Sequence, residues 1–417
     1  MKTSFILRSL VLTALIGLSS CSNDDNGNAS PEIPSGNFVV TIENTFETKQ
    51  YFVNGTIGFI APGNTESYTF NAGKGHYLNF ATMFVQSNDL FYGFDEAGVP
   101  LYNENGEALT GDVTSYISLW DAGTEVNEEP GVGVNQAPRQ AGPNTGDDEN
   151  GTVKLISEVN DGFVYPEVAE VIKVTLTHDG GTEFTMTIEN VSNVASFATP
   201  LAPGVWVVSG PEQTPLFTAG IESSEGLERI AEDGDNSILD TQFTSESGFV
   251  SPFAPGAYSV NGAVYSIGGS ASEALEAMAE DGNPSGFDNI FNTPVGKSGP
   301  GPIFPGESYS FEFTASQGDV LSFATMLVQS NDWLIGANEI NLFNNGIPTS
   351  GDITDRLELV DAGTEVDEYA GAGNNQPTRQ VAANTGEEEN GTIAIEQTVG
   401  AHVPTIDQMI RVTITAN

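Results

Sequence analysis

The chain has 417 residues and a formal net charge of −45, with 12 Lys and Arg against 57 Asp and Glu. No basic stripe is present to neutralise phosphates, which excludes a nucleic-acid binder; the balance suits divalent cations or a basic partner surface. The length implies two domains, 47 Gly and 22 Pro point to a turn-rich all-β protein, and the single cysteine, Cys21, excludes an intrachain disulfide.

The N-terminus reads as an address. Lys2 and Arg8 precede an apolar run over residues 9–18, too short to cross a bilayer and suited to a signal peptide over residues 1–20. Leu18-Ser19-Ser20-Cys21 resembles the lipobox of bacterial lipoproteins, which implies that Cys21 is the lipidated mature N-terminus and that the protein meets the membrane through this anchor. Residues 21–36 are polar, acidic and Pro/Gly-bearing, a flexible tether. Within them Ser22-Asn23-Asp24-Asp25 resembles the acidic export signal of Bacteroidetes-type lipoproteins, which implies the outer membrane with the protein facing the cell exterior.

The remainder reads as a duplication. Phe38 to Glu43 (FVVTIE) opens a first domain over 37–177, and Phe184 to Glu189 (FTMTIE) opens a second over 184–416. Leu78-Asn79-Phe80-Ala81-Thr82-Met83 returns as Leu321-Ser322-Phe323-Ala324-Thr325-Met326, and the closing strands are VIKVTLT at 171–177 and MIRVTIT at 409–415. In the first of these, Ile172, Val174 and Leu176 face one side, as a half-buried strand requires. Short strands separated by Gly, Pro and Asn turns predict two stacked antiparallel sheets per domain. The second domain carries an insert at about 195–294 with its own echo. Its two Ala-Glu-Asp-Gly segments (231–234 and 279–282) end short helices with N-caps at Ser224 and Ser272, expected to cover the ends or edges of the second sandwich.

Each copy brings three carboxylates to two Gly-bearing loops: Asp89, Asp121 and Glu125, then Asp332, Asp361 and Glu365. Two carboxylates ~5 Å apart at an effective dielectric of ~20 repel by roughly 3 kcal/mol. A shared hard cation resolves this, and calcium takes oxygen ligands at flexible geometry. The expectation is one calcium per domain, with the backbone carbonyls of Trp120 and Val360 as further ligands. The acidic runs Asp147-Asp148-Glu149 and Glu387-Glu388-Glu389 read as solvated loops that deepen the field of the ion site. Asp112 and Asp352 read as turn caps, and Arg139 and Arg379 as partners of local carboxylates. His76, His178 and His402 show no zinc spacing.

The segments Phe80 to Gly93 with Trp120 to Glu125, and Phe323 to Gly336 with Val360 to Glu365, resemble the spondin N-terminal domain. That resemblance implies two C2-like β-sandwiches in tandem. It also implies calcium held by Asp89, Asp121 and Glu125 with the Trp120 carbonyl, and by Asp332, Asp361 and Glu365 with the Val360 carbonyl. It further implies a non-enzymatic surface protein acting in adhesion or in binding an extracellular protein or glycan. The alternatives are a carboxylate-dependent extracellular hydrolase and a structural surface-layer component.

Overall fold

The computed structural model describes residues 34–195, 198–210, 215–397 and 402–417. The leader, Cys21 and all but the last residues of the tether lie outside them.

The fold is all-β, two sandwiches of antiparallel sheets with a few short helices. In the first sandwich, one sheet runs in the order Thr65–Asn71, Glu183–Asn190, Ile172–Gly180, Gly111–Asp112. It faces a sheet ordered Val53–Ile57, Leu201–Ser209, Tyr77–Phe84, Leu90–Gly93, Ser118–Asp121, Lys154–Leu155. In the second, Ser308–Ser316, Ser35–Asn44, Ile410–Ala416 and Gly351–Asp352 form one sheet. The facing sheet is Ile290–Phe291, Phe253–Val260, Val320–Leu327, Trp333–Asn341, Glu358–Asp361, Ala394–Ile395.

The expected domain boundaries are redrawn by this pairing. The strand Ser35–Asn44 takes in the last two residues of the predicted tether, and it belongs to the second sandwich. It lies between Ser308–Ser316 and Ile410–Ala416, with Ile42 opposite Tyr309 and Val412. Its look-alike Glu183–Asn190 belongs to the first, where it pairs with Ile172–Gly180 and Thr65–Asn71. The reason is local. Gly180 pairs with Glu183, so only Gly181 and Thr182 connect the two strands. A connection that short makes a hairpin and cannot carry the chain to another domain; Gly180 and Gly181, at φ 108° and 55°, supply its left-handed backbone.

The insert divides in the same way. Leu201–Ser209 and the helix Glu225–Asp233 complete the first sandwich, while Phe253–Val260 and the helix Glu273–Asp281 complete the second. The first sandwich is therefore one continuous stretch, lodged between the first strand of the second sandwich and all of its others. The Asn417 N–H donates to the Asn37 carbonyl at 2.8 Å, so the ends of the second sandwich meet where the first has its hairpin. The two units are circular permutants of one another.

Each sandwich has an inter-sheet core. Phe70, Phe80, Tyr92, Val174, Phe184 and Ile188 fill the first, and Phe38, Val40, Ile42, Tyr309, Phe323 and Val412 the second. The helices lie on the outer face of the larger sheet rather than at its ends or edges: Leu227 and Ile230 pack with Ala81, Phe91 and Val205, and Leu275 and Met278 with Ala257, Ala324 and Leu334. Covered on both faces, Tyr77–Phe84 is buried at every residue after the first, which is why it reads as an unbroken apolar run instead of an alternating one. Ser224 and Ser272 do cap their helices, accepting from the N–H groups of Leu227 and Leu275 at 3.2 Å.

Candidate metal centres

Both carboxylate clusters form where the outer sheet ends beneath its helix. Asp89 follows a tight turn that Ser87 holds, donating to the Phe84 carbonyl and accepting from the Leu90 N–H. Asp121 closes the neighbouring strand, paired with Leu90. Gly123, at φ 73°, then turns the chain; a side chain there would meet the Thr152 backbone at 2.6 Å. Both aspartates are fully buried. Asp89 Oδ2 accepts from the N–H groups of Thr124 at 2.7 Å and Glu125 at 3.0 Å, while its Oδ1 is buried without a hydrogen-bond partner. Asp121 Oδ1 accepts from the Gly123 N–H at 2.7 Å and Oδ2 from Asn127 Nδ2 at 2.8 Å. Oxygen atoms of Asp89, Asp121 and Glu149 lie within 4.8 Å of one another. Burial, reinforced by the charge of Asp121, pushes the Asp89 carboxyl up to about 8, and burial raises Asp121 as well. Lys154 reaches into this centre, with Nζ 2.5 Å from Glu149 Oε1 and 3.9 Å from Asp121 Oδ2.

The second centre repeats the frame. Asp332 is fully buried; its Oδ2 accepts from the N–H groups of Thr364 at 2.7 Å and Glu365 at 3.1 Å, and its Oδ1 again has no hydrogen-bond partner. Asp361 Oδ1 accepts from the Gly363 N–H at 2.7 Å. The periphery differs. Oxygen atoms of Asp361, Asp367 and Glu396 fall within 4.8 Å of one another. Asp367 stands where the first centre has Asn127, and Glu396 where it has Ile156. Ala394, paired with Asp361, stands where Lys154 pairs with Asp121. Burial and then the Asp332 charge push Asp361 up to about 6; the same causes, with Asp361 and Glu396 added, push Asp367 up to about 7.

Four of the expected ligands are placed elsewhere. Glu125 turns its carboxylate away, accepting from the Gly146 N–H at 2.6 Å and from Asn88 Nδ2 at 3.3 Å. Glu365 does the same with Gly386 at 2.8 Å and Asn331 at 3.3 Å. These glutamates brace the long acidic loop, and only their backbone N–H groups reach the buried aspartates. The Trp120 carbonyl belongs to the strand ladder. The Ala122 N–H donates to the Asp89 carbonyl, which makes Phe91 and Trp120 the mutually bonded pair and directs the Trp120 carbonyl at Phe91. Ala362 and Asp332 fix Val360 toward Leu334 in the same way.

Glu149, Asp367 and Glu396 are the members that the sequence reading did not assign. Glu149 lies in an acidic run that reads as solvated; its recurrence as Glu389 is the signal that marks it. Buried acids of the two helices escaped it too: Glu232 and Glu280, beside Thr124 and Thr364, are pushed up to about 7 by burial. Arg139 and Arg379 pair with no carboxylate among the described residues. Arg139 donates to the Gly133 carbonyl, and Arg379 to Gln329 and to the Gly371 carbonyl, with His76 Nε2 3.2 Å away in the other sandwich. Asp112 and Asp352 are turn caps, accepting from Thr114 and Thr354 N–H groups.

The chemistry of these clusters is that of a hard-cation site: carboxylate oxygens only, with no His or Cys to favour zinc. The buried, unpartnered Oδ1 of Asp332 and the acids around it fit such an ion, whereas in the first centre an ammonium already stands among the carboxylates. No curated protein matches the chain. A family model described as Spondin_N matches residues 251–389, a span that runs from the strand Phe253–Val260 through the helix, Asp332, Asp361 and the acidic loop. Over residues 251–389 the chain is thus similar to the spondin N-terminal domain family.

Proposed function

We propose that this protein is a calcium-stabilised binding module of the cell surface, tethered through Cys21, that acts in adhesion or in holding an extracellular protein or glycan, and that it is not an enzyme. The observation that carries the calcium reading is the second centre. Asp361, Asp367 and Glu396 bring oxygen atoms within 4.8 Å of one another, and the neighbouring Asp332, whose charge acts on Asp361 and Asp367, has one buried oxygen unpartnered. Each close pair costs roughly 3 kcal/mol at an effective dielectric of ~20, a cost that a calcium ion turns into attraction.

The ion would order the loops and do no chemistry. Sites of extracellular type bind at ~0.1–1 mM, so at ~2 mM calcium mass action stabilises by roughly 0.6–1.8 kcal/mol. The extracellular associations of the family and the lipobox-like Cys21 support the surface assignment. A hydrolase needs a substrate cleft over paired carboxylates; here the acids lie under a helix at a sheet end, which favours binding over catalysis. Melting with and without chelator tests the reading. Calcium should raise the melting temperature of the wild type and not of Asp361→Asn; equal melting of both in calcium and in chelator would count against it. Metabolic labelling with a fatty acid should mark the wild type and leave Cys21→Ser unlabelled.

A further inference from the structure

Two copies of one frame would be expected to bind alike, yet the residues around them diverge in a consistent direction. In the first centre, Lys154 Nζ stands 2.5 Å from Glu149 and 3.9 Å from Asp121, and the flanking positions are the neutral Asn127 and Ile156. In the second, Ala394 removes the ammonium, while Asp367 and Glu396 add carboxylates. These substitutions lower the need for a cation at the first centre and raise it at the second.

We infer that the two centres are unequal by construction: Lys154 supplies the first with a tethered ammonium in the place of a divalent cation, and the chain binds a single calcium, in the second sandwich. This rests on the calcium reading of the second centre. The ammonium donates to one carboxylate and lies beside another, so it offsets one of the cluster's three charges without a bound ion and occupies the space a cation would need. A calcium ion entering there would have to displace it and leave a partly buried lysine facing a divalent charge. The first sandwich is then held together independently of calcium, and only the second responds to it.

Calcium titration calorimetry on the full-length chain, with unfolding followed in parallel, tests this. The wild type should bind one calcium, and Asp361→Asn none. Lys154→Met keeps the aliphatic stem and removes the charge; it should bind two, and should gain a calcium-dependent rise in melting temperature that the wild-type first sandwich lacks. Lys154→Arg should stay at one. Should Lys154→Met fail to fold, Ala394→Lys gives the reciprocal test, since a lysine transplanted into the second centre should abolish binding in an otherwise native protein. Two equivalent ions in the wild type would overturn the inequality and leave the calcium reading standing. One ion that survives Asp361→Asn and is lost in Asp121→Asn would overturn the assignment to the second centre. No binding by the wild type or by Lys154→Met would sink the calcium reading itself.

Discussion

At His76 burial and the adjacent Arg379 guanidinium push the imidazole down to about 3 from its ordinary 6.5. The ring accepts from the Gly73 N–H and faces Arg379 across the boundary between sandwiches. The unfolded chain takes up a proton here below pH 6.5 and the folded one does not, so this stability is present above 6.5 and is lost as the pH falls toward 3. His76→Gln should flatten the acid limb of the stability profile between pH 6.5 and 4, read by urea unfolding at fixed pH values. Asp89 has the opposite sign. Its folded value of about 8 lies above its ordinary 3.8, so its contribution is greatest at low pH and is lost as the pH rises through that window. In chelator, Asp89→Asn should therefore gain on the wild type from pH 5 to 8. The aspartates were legible in the sequence because each precedes a turn that recurs in register. Glu125 was misplaced because spacing along a loop does not say which way a side chain points; the Gly146 amide that captures it lies far along the chain.

Among the elements, the strand Ser35–Asn44 shows what a pattern can and cannot reveal. Its alternation was readable, with Phe38, Val40 and Ile42 inward, but alternation fixes a face and not a neighbour. Its last residue ties it into the second sandwich. Asn44 Nδ2 donates to the carbonyls of Ser251 at 3.0 Å and Ile303 at 3.1 Å, and its Oδ1 accepts from the Phe46 N–H. Asn190 makes the same set in the first sandwich, with Thr199, Ile60 and Ser192. Asn44→Ala leaves buried carbonyls unpaired and should cost about 2–4 kcal/mol, falling on the second sandwich alone. Hydrogen exchange should quicken in Val320–Leu327 and stay unchanged in Tyr77–Phe84.

Across the whole molecule, the two sandwiches meet at close range. The Lys74 N–H donates to Asn374 Oδ1 at 3.0 Å, and a side chain on Gly73 would come within 2.0 Å of the Ala372 carbonyl. Backbone this close leaves no room for a methyl group. Gly73→Ala should part the sandwiches while leaving each folded: small-angle scattering should give a larger radius of gyration, with calcium binding retained. That contact was invisible in the sequence, since nothing local marks Gly73 apart from other glycines.

The order of the strands also sets a problem in time. Ser35–Asn44 leaves the ribosome more than 360 residues ahead of one of its two partners, Ile410–Ala416. Until then an apolar ribbon must wait beside a first sandwich whose own slot accepts a nearly identical sequence. The two-residue hairpin decides that contest, because Glu183–Asn190 competes at a local concentration that no distant rival can match. Lengthening the turn at Gly181 would be the way to let the wrong strand in.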